Sequence, residues 1–372
     1  MTDHQSHAQD SLELLGEALI KGRIDRRRFL QGAAMLGATA AMGTVAGRSA
    51  YAQAKEIVLS NAGGDAVTAM GKAWTEPYMK QVPATKIVID GTFPSSAKIK
   101  AMVEAKNTSW DICDRNLPAA LELGQQNLLE EIDYSVVDKA KLRPEHAGKW
   151  GCGSYIFSNV IAYQTDAFGG RTPQNWKDFW NVKDFPGKRA LRKHIDGQLE
   201  AALLADGVAP KDLYPIDLKR ALAKIKELKP NCIFWSTGAE SQQVLRDKEV
   251  VMANVWNTRA TVLRNESQKK IDFHFNEAAL WVGAWIVPRN NPAGKDVFKF
   301  MASTQDPAEQ VELFKLLGNG PVNPAAAAMV PADLKAIDPG SPENYAKQIP
   351  VSAQWYADNS AAALTAYIEA VS

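Results

Sequence analysis

A chain of 372 residues, 46% hydrophobic and 23% charged, is globular in composition, and its length suggests about two domains. A formal net charge of +1 supplies no bulk field for recognising nucleic acid or an anionic membrane. Cys113, Cys152 and Cys232 stand far apart with no CxxC pair, which removes the zinc-ribbon and thioredoxin readings, and the odd count leaves at least one thiol unpaired within the chain.

The first fifty residues differ from the rest. "IDRRRFLQGAAMLGATAAMGTVAGRSAYAQA" is a basic cluster, a weakly apolar Ala/Gly run, then small residues. The run falls short of the ~20 residues that span a bilayer. Arg26 and Arg27, followed by Arg28-Phe29-Leu30-Gln31, resemble a twin-arginine export signal. Ala50-Tyr51-Ala52 fits an A-x-A cleavage pattern. Residues 1–52 are expected to be a signal peptide, and the mature protein is expected in the periplasm.

The mature chain alternates strand and helix. "EIVLSN" is a strand, and "AGGDAV" is the glycine-bearing turn into a helix that ends before Pro83. "KIVIDG" is a second strand, followed by a helix with Ser95 or Ser96 as N-cap. "WDICD" is a third strand, with a helix in "LPAALELGQQN". After the long extended run "GSYIFSNVIAYQTDAF" a new unit starts at "TPQNWKDFWNVKDFPG". It has a strand in "RALRKH" and helices in "GQLEAALLADG" and "DLKRALAKIKELKPN". A strand "CIFWSTG", a capped helix "AESQQVLRDKE" and the strands "VVMANVWN" and "LWVGAWIVP" complete it. Helices dominate from residue 294 on. This order predicts parallel α/β sheets covered by helices.

Enzyme motifs are missing. No G-x-S-x-G elbow, HExxH, EF-hand loop or G-x-G-x-x-G occurs. "GDAVTAMGKA" has the wrong glycine spacing for a P-loop, and Ala73 stands where a metal-liganding hydroxyl is needed. His146, His194 and His274 are scattered, so no metal cluster is visible. No cofactor or metal is called for. An exported enzyme remains a rival class, because catalytic triads are spatial and not sequential.

One stretch asks for more than packing. In "AALWVGAWIVPRNNP" Trp281, Gly283 and Trp285 share one face of a strand, two indoles flanking a position with no side chain. Together with "NWKDFW", "FPGKRAL", "GQLEAALLADG", the run from "ELKPNCIFW" to "VVMANVWN", and "GNGPVNPAA", in that order, this stretch resembles the spermidine/putrescine-type periplasmic substrate-binding proteins of ABC importers. The resemblance covers nearly all of the mature chain. It implies a type II periplasmic-binding-protein fold: one lobe of residues 53–156 and 284–325, a second of 157–283, and C-terminal helices at 326–372 packing across them. It implies no enzymatic activity, a small-molecule ligand held between the lobes, permease subunits of the inner membrane as partners, no nucleic acid and a monomeric state.

The family pattern makes Trp256 and Trp281 cleft aromatics that sandwich the ligand, and Trp285 core. It also departs here. Gly283 stands where polyamine binders carry an aspartate, His194 and Gly197 replace two further acids, Ala62 replaces the first-lobe aromatic, and Gly320 replaces a tyrosine. The cleft is expected to have lost carboxylates and gained space. Burying ammonium groups without carboxylates is costly, so putrescine and spermidine are poor candidates, though a polyamine remains the alternative ligand. An amine, amino-acid-like or opine-like molecule that bears a carboxylate fits better; relatives of this fold family take γ-aminobutyrate-like and opine-like compounds. Asn257, Arg259, Thr237, Gly238, Asp114, Asn116, Gly63 and Gly64 complete the expected site, with Arg192 and Lys193 nearby. Arg259 is the candidate carboxylate partner and Asp114 the remaining acid for an amine. An iron binder of the same architecture would need more than Tyr155 and Tyr163.

Overall fold

The computed structural model describes residues 54–372. The twin-arginine and cleavage motifs lie outside the described residues. β1 (Glu56–Ser60) leads into α1 (Asp65–Met70), a π-helical turn and α2 (Glu76–Gln81), then β2 (Lys86–Asp90), α3 (Ser96–Glu104), β3 (Ile112–Asn116) and α4 (Leu117–Gln125). The long β4 (Cys152–Gln164) precedes α5 (Trp176–Trp180), β5 (Arg189–Arg192), α6 (Gln198–Ala205), α7 (Leu218–Leu228), β6 (Cys232–Trp235), α8 (Gly238–Arg246), β7 (Met252–Trp256) and α9 (Asn257–Glu266). β8 (Ile271–Ile286) is followed by α10 (Asp296–Ser303), α11 (Pro307–Leu317), α12 (Pro342–Tyr345), the two-residue β9 (Ile349–Pro350) and α13 (Ala353–Val371).

The strand order β2-β1-β3-β8-β4-β7-β5-β6 explains how one chain makes two lobes. β1, β2 and β3 pair in parallel, as do β5, β6 and β7. Between these two triplets lies the antiparallel pair β4–β8, long enough to serve both. β3 takes the carboxyl end of β8, and β7 takes the second half of β4. The register of β4 on β8 slips between Gly153 and Tyr155 and again between Asn159 and Ile161. Such slips raise the local twist and bend the strand, and they stand where one lobe gives way to the other. A third segment meets this crossover: Ile156 N–H donates to Gly320 O at 2.7 Å, and Gly320 N–H to Ile156 O at 2.8 Å.

Each triplet is covered on both faces, as parallel sheets require. Around β1–β3 the two layers are built on Trp74, Trp285 and Phe300 on one side and Trp110, Leu123 and Ile286 on the other. Around β5–β7 one layer joins Phe179, Leu199, Trp281, Tyr356 and Tyr367, and the other Trp235, Val255, Leu263 and Phe314. The C-terminal segment reaches several of these layers. Val330 and Ile337 join the Trp235 layer, Tyr345 packs against the Trp285 layer, and α13 buries Tyr356, Ala363, Tyr367 and Val371 against α6 and its neighbours.

Local signals act as expected at several ends. Ser95 caps α3, its hydroxyl accepting from Lys98 N–H, and Thr237 with Glu240 forms a capping box on α8. Two elements were not foreseen. β8 starts nine residues before "LWVGAWI", at Ile271, and "NTRATVLRNE" is a helix. "IDFHF" alternates as a strand should, yet its partner Gln164–Ile161 lies a hundred positions earlier, so the alternation has no local counterpart. All three cysteines are unpaired, and Cys113 and Cys152 are buried.

Candidate functional site

In open α/β sheets ligands bind beyond the carboxyl ends of the parallel strands. Here those ends gather Gly63, Gly64 and Asp65 after β1 and Asp114, Arg115 and Asn116 at the end of β3. From the other triplet come Arg192, His194 and Asp196 after β5, Thr237 and Gly238 after β6, and Trp256 to Arg259 after β7. Two charge pairs join the sets. Arg259 Nη1 lies 3.7 Å from Asp65 Oδ2, and Asp196 feels the Arg115 guanidinium. The candidate site is the cleft that these ends enclose.

The wall from the second lobe is cationic and aromatic. The Arg192 guanidinium sits 4.7 Å from the centroid of Trp256, a cation–π contact. Trp256 is half-buried and meets Trp235 edge-to-face at 5.4 Å. Arg192 Nη1 and His194 Nδ1 approach Asp196 Oδ2 at 2.9 and 3.1 Å. Burial pushes the Asp196 carboxyl up, but His194, Arg192 and Arg115 outweigh it and hold the group below the usual range, so it is ionised. Arg259 lies over Gly238: a Cβ there would come within 2.6 Å of Arg259 Nε, and its lack lets the guanidinium settle on the start of α8. The Nε atoms of Arg115, Arg192 and Arg259 are buried and have no hydrogen-bond partner among the described residues. Three guanidinium groups with a spare donor each, gathered at these strand ends, suit an anionic acceptor.

The wall from the first lobe is different. Both oxygens of Asp114 accept from Tyr155 Oη, at 2.9 and 3.1 Å. Asp114 is 5% exposed. Desolvation pushes its carboxyl up to about 7, against the pull of the Tyr155 hydroxyl and Arg115. The linkage sign follows. The folded state keeps this proton from the ordinary 3.8 up to about 7 while the unfolded chain releases it, so stability falls as pH rises through that window and is level above it. Asp114→Asn is therefore expected to remove part of that fall, gaining on the parent protein between pH 4 and 7. Urea midpoints across that range check it; parallel curves for the two proteins contradict it.

Several sequence expectations need correction. Trp281 does not reach the cleft. It is 1% exposed, stacked on Phe157 at 6.2 Å and covered by Tyr356 from α13 at 4.9 Å. Asn257 is fully buried; its Oδ1 accepts from Ser158 N–H and its Nδ2 donates to Gly318 O, so it ties β4 to the third crossover segment. Asn116 spends its side chain as the N-cap of α4, accepting from Ala119 N–H. Gly283, Gly197 and Gly320 do not add room. A Cβ at each would strike Tyr155, Asn159 and Pro339 respectively, so neighbouring side chains fill those places. Gly63 is a tight spot too, with Gly91 O at 2.5 Å from a Cβ built there, and its positive φ of 74° suits glycine. Trp285 is core as expected, its Nε1 donating to Thr304 Oγ1 at 2.9 Å. Arg115, Asp196 and Tyr155 were not among the expected ligand contacts. Arg115 lies at the carboxyl end of β3 and Asp196 in the turn after β5, and that position was the available signal for the first two.

Three comparisons bear on what such a cleft belongs to. The family model "Bacterial extracellular solute-binding protein" matches residues 73–339. The γ-aminobutyric acid-binding protein of Pseudomonas aeruginosa is 32% identical over 84% of this chain and 89% of its own. The structure titled as the Atu4243–GABA receptor superposes with a TM-score of 0.80, at 31% identity, over 85% of this chain and 98% of that one. A periplasmic binding protein of A. tumefaciens B6 in complex with glucopine gives 0.78 at 27% identity, over 85% and 100%. The family match runs from β2 through β8, the β4–β8 crossover included, and the chain belongs to the bacterial extracellular solute-binding protein family.

Proposed function

We propose that this protein is the periplasmic solute-binding component of an ABC importer, delivered by the twin-arginine route, and that its ligand is a small molecule bearing both a carboxylate and an amine. The observation that carries this is the set of buried Nε donors on Arg115, Arg192 and Arg259 that have no partner among the described residues, with Arg192 over Trp256. A carboxylate satisfies guanidinium donors in pairs, whereas a polyamine would meet three like charges. The relatives support the choice, since one is named for γ-aminobutyric acid and another holds glucopine. Closure is assigned to residues 53–156 with 284–325 moving against 157–283 about the β4–β8 crossover. The protein is read as a monomeric binder and not an enzyme.

A thermal-shift screen tests this. Candidates are γ-aminobutyrate, glutamate, opine-type amino dicarboxylates, putrescine and spermidine. A ligand at about a hundredfold excess over its Kd adds ~2.7 kcal/mol of stability, which moves the melting temperature by several degrees. The carboxylate-bearing amines are expected to shift it without being consumed. Shifts by putrescine and spermidine alone would contradict the reading.

A further inference from the structure

The proposed ligand has two ends, and the arginine wall accounts for one. We infer that Tyr155, seated on Gly283 and held by Asp114, is the residue that selects for the ligand's ammonium group. The inference rests on the reading of the ligand as a carboxylate-bearing amine.

Three observations converge on Tyr155. Along β4, Tyr155 and Phe157 are partly exposed while Ile156 and Ser158 are buried; Phe157 packs on the Trp281 layer and Tyr155 on the Trp285 layer, so Tyr155 sits at the edge where the two cores part. Tyr155 pairs in register with Gly283, and a Cβ on Gly283 would lie 2.5 Å from its ring. The ring therefore lies directly over the bare backbone at the position where the sequence resemblance leads one to expect an acid. Finally, the phenol gives its only proton to a carboxyl group that accepts with both oxygens. A phenol with its proton committed offers lone pairs outward and behaves as an acceptor. Next to a ring face, that combination suits an alkylammonium.

Charge placement points the same way. Arg192 and Arg259 stand at the ends of β5 and β7, and Asp196 there is already engaged by Arg192 and His194. Asp114 is the acid of the cleft that makes no ion pair among the described residues; its partner is the Tyr155 hydroxyl. Arg115, next to Asp114 on β3, has Asp196 as its strongest charge partner, so an ammonium repelled by Arg192 and Arg259 is drawn to the Asp114–Tyr155 pair. A ligand's carboxylate and amine are then addressed by different strands.

Calorimetric titration of the purified protein with two pairs of compounds tests the inference: γ-aminobutyrate against butyrate, and glutamate against glutarate. Each pair differs by one amine. The parent protein is expected to prefer the amine of at least one pair roughly tenfold, the weight of one hydrogen bond to a charged group. Tyr155→Phe keeps the ring over Gly283 and removes the hydroxyl alone. It is expected to cut that preference roughly tenfold while leaving the deaminated compound's affinity unchanged. Asp114→Asn, which replaces the ionisable acceptor of the phenol proton with a neutral amide, is expected to lower the preference in the same direction. Equal loss of affinity for both members of a pair, or an unchanged preference in both variants, overturns the inference. Parent protein that binds butyrate as tightly as γ-aminobutyrate, and glutarate as tightly as glutamate, overturns it while the carboxylate reading stands. Binding of none of the four overturns both.

Discussion

Trp281→Ala is expected to cost the fold about 3–5 kcal/mol, the usual range for truncating a large core aromatic, and to lower the melting temperature by roughly 5–10 °C. The indole is enclosed by Phe157 and Tyr356, and its nitrogen has no partner among the described residues. The loss is therefore one of packing and apolar burial, with no hydrogen bond removed. Trp256→Ala should behave oppositely. Trp256 is half-buried at the cleft, so its removal should leave stability nearly intact and weaken binding by ~2 kcal/mol, roughly thirtyfold. Melting curves and ligand titrations on both variants separate the two roles. A Trp281→Ala protein that melts like its parent but has lost its ligand would return Trp281 to the cleft.

Arg259→Ala carries the largest expected loss of affinity at small cost in stability. Among the described residues the Nε of Arg259 is buried without a partner, and the side chain's one ion pair is to Asp65, whose side chain is 80% exposed. Removing Arg259 leaves no buried charge behind on the protein. A hydrogen bond between charged groups is worth about 1.5–3 kcal/mol, so a carboxylate ligand should bind some ten- to hundredfold more weakly. Asp65→Asn serves as the control. An exposed pair contributes at most ~1 kcal/mol, so that variant should bind close to normally. Equal losses in the two variants would mean that the Arg259–Asp65 pair works as a strut between the lobes, with the arginine making no ligand contact.

Much of the fold was legible because its signals are local. "EIVLS" and "KIVID" are short apolar strands, and Ser95 and Thr237 start helices by accepting from amides three residues ahead. The cleft was only partly legible. Thr237, Gly238, Trp256 and Arg259 stand at or just beyond the carboxyl ends of parallel strands, where α/β sheets gather ligand sites. Whether a given side chain there is exposed depends on segments far away. Trp281 and Trp256 look alike in sequence; Tyr356 from the last helix covers the first, and nothing in the described residues covers the second as fully. The glycines misled for a related reason. An absent Cβ was read as room for a ligand, yet Tyr155, set opposite Gly283 by strand register, and Asn159, whose side chain lies against Gly197, occupy that room. Asp196 was overlooked beside His194 and Gly197 because its value comes from Arg115, which reaches it from the other lobe.

The central claim is that the cleft reads a carboxylate with Arg192 and Arg259 beside Trp256. A crystal structure of the protein with a ligand taken from the thermal-shift screen tests it most directly. The account predicts the ligand's carboxylate within hydrogen-bond distance of the guanidinium groups of Arg192 and Arg259, with its carbon chain on the Trp256 indole. A ligand seated elsewhere, or one held in this cleft with its carboxylate turned away from both arginines, would contradict it.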